Sequence, residues 1–364
     1  MTVRILLKKI LLLILIPAGY FILYISSMAP GIVEGLYSKK LYRVLSIPLN
    51  AIMGLVPFSV AEILLIATIA FILFKIISLI VKIKKNISKF SRILLNSLIT
   101  ALSTVSIIYF IFVFLWGLNY HRLPFSEIAN YNMEPASIEE LTAVCRNLSA
   151  RTNELRNLVQ QDSQGVMTLS SNIGGTLTRA HKGYKEAGSL IPELAGYYSR
   201  PKGVLLSELM SYTGIEGVYF PYTGEANINI SIPECEIPFT TCHEMAHQRG
   251  FSREDEANYI AYFTCSLHPD DDFKYSGSLM ALQYATNALY GYIRDMYTEI
   301  RNSLSEGVLR DLNAIRKYWQ KYESPVQDFS SSVNDTYLKA NMQNDGVRSY
   351  GRMVDLLIAE QRDN

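Results

Sequence analysis

Charge is scarce in this chain of 364 residues: Asp, Glu, Lys and Arg make up 18% of it, where a soluble domain carries about 25%. Acids are nearly missing from one end. Residues 1–119 hold 12 of the 34 Lys and Arg but only two of the 33 acids, Glu34 and Glu62, so residues 120–364 keep 22 bases against 31 acids. An acidic second half excludes the basic face that nucleic-acid binding requires. Cysteine is also sparse. Cys145, Cys235, Cys242 and Cys265 leave room for two disulfides in an oxidising compartment, in any of three pairings, and no CxxC pair suggests a redox or metal motif.

Long hydrophobic runs are what the first third has instead. Ile10–Val33 is free of basic and acidic side chains and long enough to cross about 30 Å of hydrocarbon. It exceeds a normal signal-peptide core, which favours an uncleaved anchor. A second run starts at Ser59-Val60-Ala61-Glu62, a capping-box pattern, and continues to Val81 with Lys75 placed to snorkel. A third lies within Ile93–Tyr120 and ends on Trp116 and Tyr120, suited to the interface. The expectation is a membrane anchor over residues 1–119 with spans at about 10–30, 59–81 and 95–118, and a second domain over 120–364. Eight bases (Arg4, Lys8, Lys9, Lys82, Lys84, Lys85, Lys89, Arg92) flank the spans on one side, against Lys39, Lys40 and Arg43 on the other. The positive-inside rule then places the N-terminus in the cytoplasm and residues 120–364 outside the cell membrane.

The second domain reads as mostly helical. Apolar residues recur at helical spacing over Ser137–Gln160, Leu177–Ala187, Ser276–Leu304, Leu309–Tyr322 and Gly351–Glu360. Strict alternation over Ala226–Ile232 predicts one half-buried strand. Pro238 then opens a helix that carries His243-Glu244-Met245-Ala246-His247. In HExxH the two histidines share a helix face and present two imidazole nitrogens to one zinc ion, and the glutamate acts as general base on a zinc-bound water. Gly250 suits a left-handed helix stop, and Ser252 with Asp255 suits a cap for the next helix. Glu254, Asp255 and Glu256 crowd that second start. Glu254 is the preferred third ligand and Glu256 the alternative, while acids there also stabilise a helix dipole. Asn258 shares a face with Glu254 and suits a hydrogen bond to a ligating histidine. Tyr350, in a Gly/Ser-flanked segment, is a candidate oxyanion donor. His268, before Pro269, reads as a loop residue, and His121 and His181 lack metal-ligand spacing.

His243 to His247 followed by Glu254-x-x-Ala257-Asn258 resembles the gluzincin metallopeptidases, in which the first Glu of such a helix binds zinc. The insert before Glu254 is shorter than in most gluzincins. The run to Gly250 is similar to the metzincin turn, but the third-ligand position there falls on Arg253, which cannot bind zinc. Over most of its length the chain resembles the bacterial membrane family called domain of unknown function 3810, through Val56-Pro57-Phe58-Ser59, Trp116-Gly117-Leu118-Asn119-Tyr120, His243 to Tyr262, Tyr337 to Asn341 and Asp345 to Gly351. The resemblance implies a three-span anchor and a zincin-like peptidase domain with a small edge sheet, without naming a substrate. The expectation is a multi-pass membrane zinc peptidase with one Zn2+ per chain, Glu244 as base, and a peptide or protein as substrate. The alternative is a membrane sensor or scaffold with a structural or vestigial zinc site. Glu244 separates the two, since a structural site has no use for a carboxylate there.

Overall fold

The computed structural model describes residues 3–341 and 352–363. Three helices in it are long and apolar enough to cross a membrane: Arg4–Ser27, Val60–Lys85 and Ile87–Leu115. The first is interrupted between Leu12 and Leu15. Pro17, which lacks an N–H and crowds the preceding turn, accounts for the break. The first and third helices pack closely. Gly19 lies against the Tyr109 ring, and the Ser103 hydroxyl donates to the Lys9 carbonyl at 2.8 Å. The capping box at Ser59 is half formed. Ser59 accepts from the Glu62 amide, but the Glu62 carboxylate turns away and accepts the Leu205 and Leu206 amides at 3.0 and 2.8 Å.

The connection between the first two spans is helical and docked rather than a loop. It runs through Pro30–Ile32, a wide π-type turn Val33–Leu41 and Tyr42–Gly54. Glu34 and Arg122 meet in a bidentate pair with both contacts at 2.8 Å, almost wholly buried, and the Arg122 guanidinium lies 4.0 Å over the Phe251 ring.

The rest is mostly helical around one main core. Helices Ile138–Arg156, Ile237–Gln248, Glu254–Ser266, Asp271–Tyr292 and Met353–Asp363 pool buried side chains such as Leu148, Phe239, Met245, Tyr259, Phe273 and Leu282. Burying each such side chain is worth about 1.5–3 kcal/mol. The pattern expected over Leu177–Ala187 resolves into Ile173–Arg179 and His181–Leu190. That over Ser276–Leu304 splits at Ile293 into Asp271–Tyr292 and Arg294–Asn302. A further helix, Pro325–Ala340, follows Glu306–Tyr322. All four cysteines are free and buried.

A three-stranded sheet stands beside the motif helix. Its central strand, Glu225–Asn229, pairs parallel with Lys202–Val204 and antiparallel with Gly217–Phe220. The alternating segment is therefore the fully buried centre of the sheet, not a half-buried strand. Asn227 and Asn229 are buried because their polar groups are met. Asn227 accepts the Ser59 hydroxyl at 2.6 Å and donates to the Val218 carbonyl, and Asn229 donates to Ser211 and the Ile215 carbonyl. The edge role falls to Gly217–Phe220.

Candidate metal centre

Pro238 occupies the first turn of helix Ile237–Gln248, and five residues later His243 begins the motif. Gly250 takes φ +81°, which any Cβ would strain, and ends the helix so that the next one starts at Glu254. The expected cap by Ser252 is not formed, and Arg253 occupies the N-cap without a side-chain bond. Helix geometry and this turn bring three groups together. His243 Nε2 and His247 Nε2 are 3.1 Å apart. Glu254 Oε2 lies 3.2 Å from the first and 3.7 Å from the second. One ligand atom from each falls within 4.8 Å of the others.

Glu256 lies outside this cluster. Its carboxylate accepts the Phe125 amide at 2.9 Å and Arg253 at 2.7 Å, on the other side of the helix. Asn258 lines the same cleft as Glu254. His268 is a buried loop lock, bonded to the Arg179 carbonyl and the Asp270 amide and stacked on Phe273. Tyr350 lies outside the described residues.

The donor set fits zinc. Two imidazole nitrogens and one carboxylate oxygen are its usual ligands, and bonds of about 2.0–2.2 Å in a tetrahedron put ligand atoms roughly 3.3 Å apart, close to the separations seen here. His247 is oriented for it. Its Nδ1 sits 2.6 Å from the Phe251 carbonyl, which holds a proton on Nδ1 and leaves Nε2 as the donor. Without a metal the same groups form an ion-paired cluster, in which zinc would have to displace the proton from His247 Nε2. Burial disfavours a charged His247, yet Glu254 and Glu244 push it up to about 9. Burial likewise opposes ionisation of Glu254, but His247 and His243 hold its carboxyl well below the usual range.

Glu244 is 4% exposed and stands beside the cluster. Burial pushes its carboxyl up to about 7, with Glu254 adding and the two histidines opposing. A carboxyl poised there is suited to general-base work near neutral pH. The edge strand reaches it only because residue 217 is glycine: a Cβ there would lie 2.5 Å from Glu244 Oε1.

A cleft of about 740 Å³ opens over these groups, walled by Trp116, Tyr219, Tyr284 and Tyr337. Sequence reasoning missed most of that wall. Trp116 reads only as an interfacial anchor, and Gly217–Phe220 is too short to show a period. Glu216, half-buried and accepting the Thr240 hydroxyl at 3.0 Å, has its carboxyl raised by burial.

The family described as "Protein of unknown function (DUF3810)" matches residues 37–358, and the chain belongs to it. No curated protein and no solved structure matches the chain.

Proposed function

We propose that this family member is a membrane-anchored zinc peptidase with a gluzincin-like ligand set. The observation that carries this reading is the convergence of His243, His247 and Glu254 next to a buried Glu244 that is not part of the cluster, in an open cleft. Zinc, when bound, supplies Lewis-acid polarisation and lowers the pKa of water towards ~7. The chain's own groups do the rest. Glu244 takes a proton from the attacking water and returns it to the leaving amine. The edge strand Gly217–Phe220 offers backbone groups to an extended peptide. The excess of basic residues near the N-terminus and over 82–92 favours a cytoplasmic N-terminus and an exterior cleft.

Metal analysis and peptide-library cleavage with the purified full-length protein test this. The expected result is one zinc per chain, lost in His243→Ala and retained in Glu244→Gln. The latter should cut hydrolysis by roughly 10²–10⁴-fold, the range for a general base. Stoichiometric zinc with no cleavage of any peptide by the wild type would replace the peptidase with the sensor or scaffold. Orientation has its own test. The native cysteines are buried, so Glu306→Cys, at a side chain 92% exposed, supplies an accessible reporter thiol. It should react with an impermeant reagent in intact cells; reaction only after lysis inverts the topology.

A further inference from the structure

The metal ligands lie against the end of a membrane span. The third span stops at Leu115, and the next residue, Trp116, meets the His247 imidazole edge-on with ring centroids 5.8 Å apart. Both walls of the cleft reach below that end. On the strand side, Tyr222 follows Gly217–Phe220 and donates to the Ile108 carbonyl at 3.0 Å. Ile108 is seven residues before Leu115, about 10 Å down the helix at 1.5 Å per residue. On the helix side, the Tyr337 ring lies 6.3 Å from that of Phe112.

The same face is apolar and uncovered among the described residues. Helix Pro325–Ala340 exposes Val326, Phe329 and Val333, with Phe329 at 71%. These recur at helical spacing with Tyr337, so the stripe leads to the contact with Phe112. Around the second span, Leu205, Leu206 and Leu209 are exposed, with Leu205 at 80%, and the amides of the first two cap Glu62 in that span's first turn. The first patch adjoins the third span through Tyr337 and Phe112, and the second adjoins the second span through Glu62. Phe220 and Tyr222 pair at 5.4 Å on the same side, as in an interfacial aromatic belt.

We infer that this face sits in the head-group layer of the bilayer and that the cleft acts on the juxtamembrane segment of polypeptides anchored in the same membrane. The second half of the inference rests on the peptidase reading; the first does not. A head-group layer is about 5–7 Å deep on each side, and an extended chain advances about 3.3 Å per residue. Crossing that layer takes about two extended residues, so the scissile bond is expected within about five residues of a substrate's membrane segment.

Two measurements on the full-length protein in phosphatidylcholine–phosphatidylglycerol vesicles test this. First, an environment-sensitive fluorophore on Phe329→Cys should be quenched by lipids with a nitroxide near the head group and shielded from aqueous iodide. Quenching by iodide and not by the lipids overturns the membrane-facing surface whatever the activity. Second, a randomised segment is placed 5, 15 or 40 residues from a transmembrane helix in the same vesicles, or supplied as free peptide. Cleavage should be at least tenfold faster at 5 residues than at 40, although both are equally anchored, and should vanish in Glu244→Gln. Equal rates at 5 and 40, or equal cleavage of the free peptide, overturn the substrate class and leave the peptidase standing. No cleavage in any format, with the fluorophore still lipid-quenched, overturns the peptidase reading and keeps the membrane-facing surface.

Discussion

Two glutamates two positions apart on one helix do different work, and the difference is geometric. Glu254 opens its helix on the side of His243 and His247. Glu256, about 200° around at 100° per residue, is spent on the Phe125 amide and Arg253. Glu254→Gln should therefore lower zinc affinity and, because Glu254 pairs with His243 and His247 without a metal, also lower the melting temperature of the zinc-free protein. Glu256→Gln should keep its zinc but lose a buried charge-assisted pair, at about 1.5–3 kcal/mol. Metal analysis beside thermal melts separates the two, and an exchange of phenotypes would move the third ligand to Glu256. Gly217 makes a second residue-level case. In Gly217→Ala the new methyl collides with Glu244, so the strand or the carboxylate must shift. Misplacement of a catalytic group by about 1 Å costs about 100-fold. A loss of that order with zinc retained is expected, and full activity would show that the edge strand is free to give way.

At the scale of elements, what was legible in the sequence were features whose signal lies within one segment. The three spans follow from length and apolarity, the motif helix from Pro238 and the HExxH spacing, and the turn from Gly250. What was hidden depends on distant partners. The alternation over Ala226–Ile232 suggests a wet face, but Asn227 and Asn229 are buried because Ser59, Ser211 and two carbonyls satisfy them. Helix Pro325–Ala340 has few apolar residues and a polar Ser330-Ser331-Ser332 run, so its sparse stripe of Val326, Phe329, Val333 and Tyr337 is a weak signal. The connection Pro30–Gly54 shows in the sequence only as the segment that carries Lys39, Lys40 and Arg43 between spans, yet it buries Glu34 against Arg122. Removing one partner of a buried pair costs about 3–5 kcal/mol. Glu34→Gln should thus lower the melting temperature by roughly 5 °C or more, and Glu34→Gln with Arg122→Gln should recover part of the loss. A surface-like change under about 0.5 kcal/mol would mean that the pair is solvated.

For the molecule as a whole, the chain before residue 120 is a structural partner of the His243–His247–Glu254 cluster as well as its tether. Tyr42 donates to the Gln248 carbonyl at 2.9 Å, at the end of the motif helix. Asn50 accepts the Gln248 side-chain amide at 3.0 Å. The buried Glu225 carboxylate, paired with Lys202, also accepts the Val60 and Ala61 amides at the start of the second span. Glu34 neutralises Arg122, which in turn donates to the Arg249 carbonyl. Excising residues 120–364 would leave each of these buried groups unpaired or in a breach open to water, at about 1–3 kcal/mol apiece. Four such losses approach the 5–15 kcal/mol that keeps a typical domain folded. The fragment 120–364 is therefore expected to be aggregated or to lack sharp near-ultraviolet dichroism and stoichiometric zinc. Co-expression with residues 1–119 should restore both, because the missing contacts are non-covalent. A fragment that is monomeric, cooperative in its melt and fully zinc-loaded would show that the anchor contributes position alone.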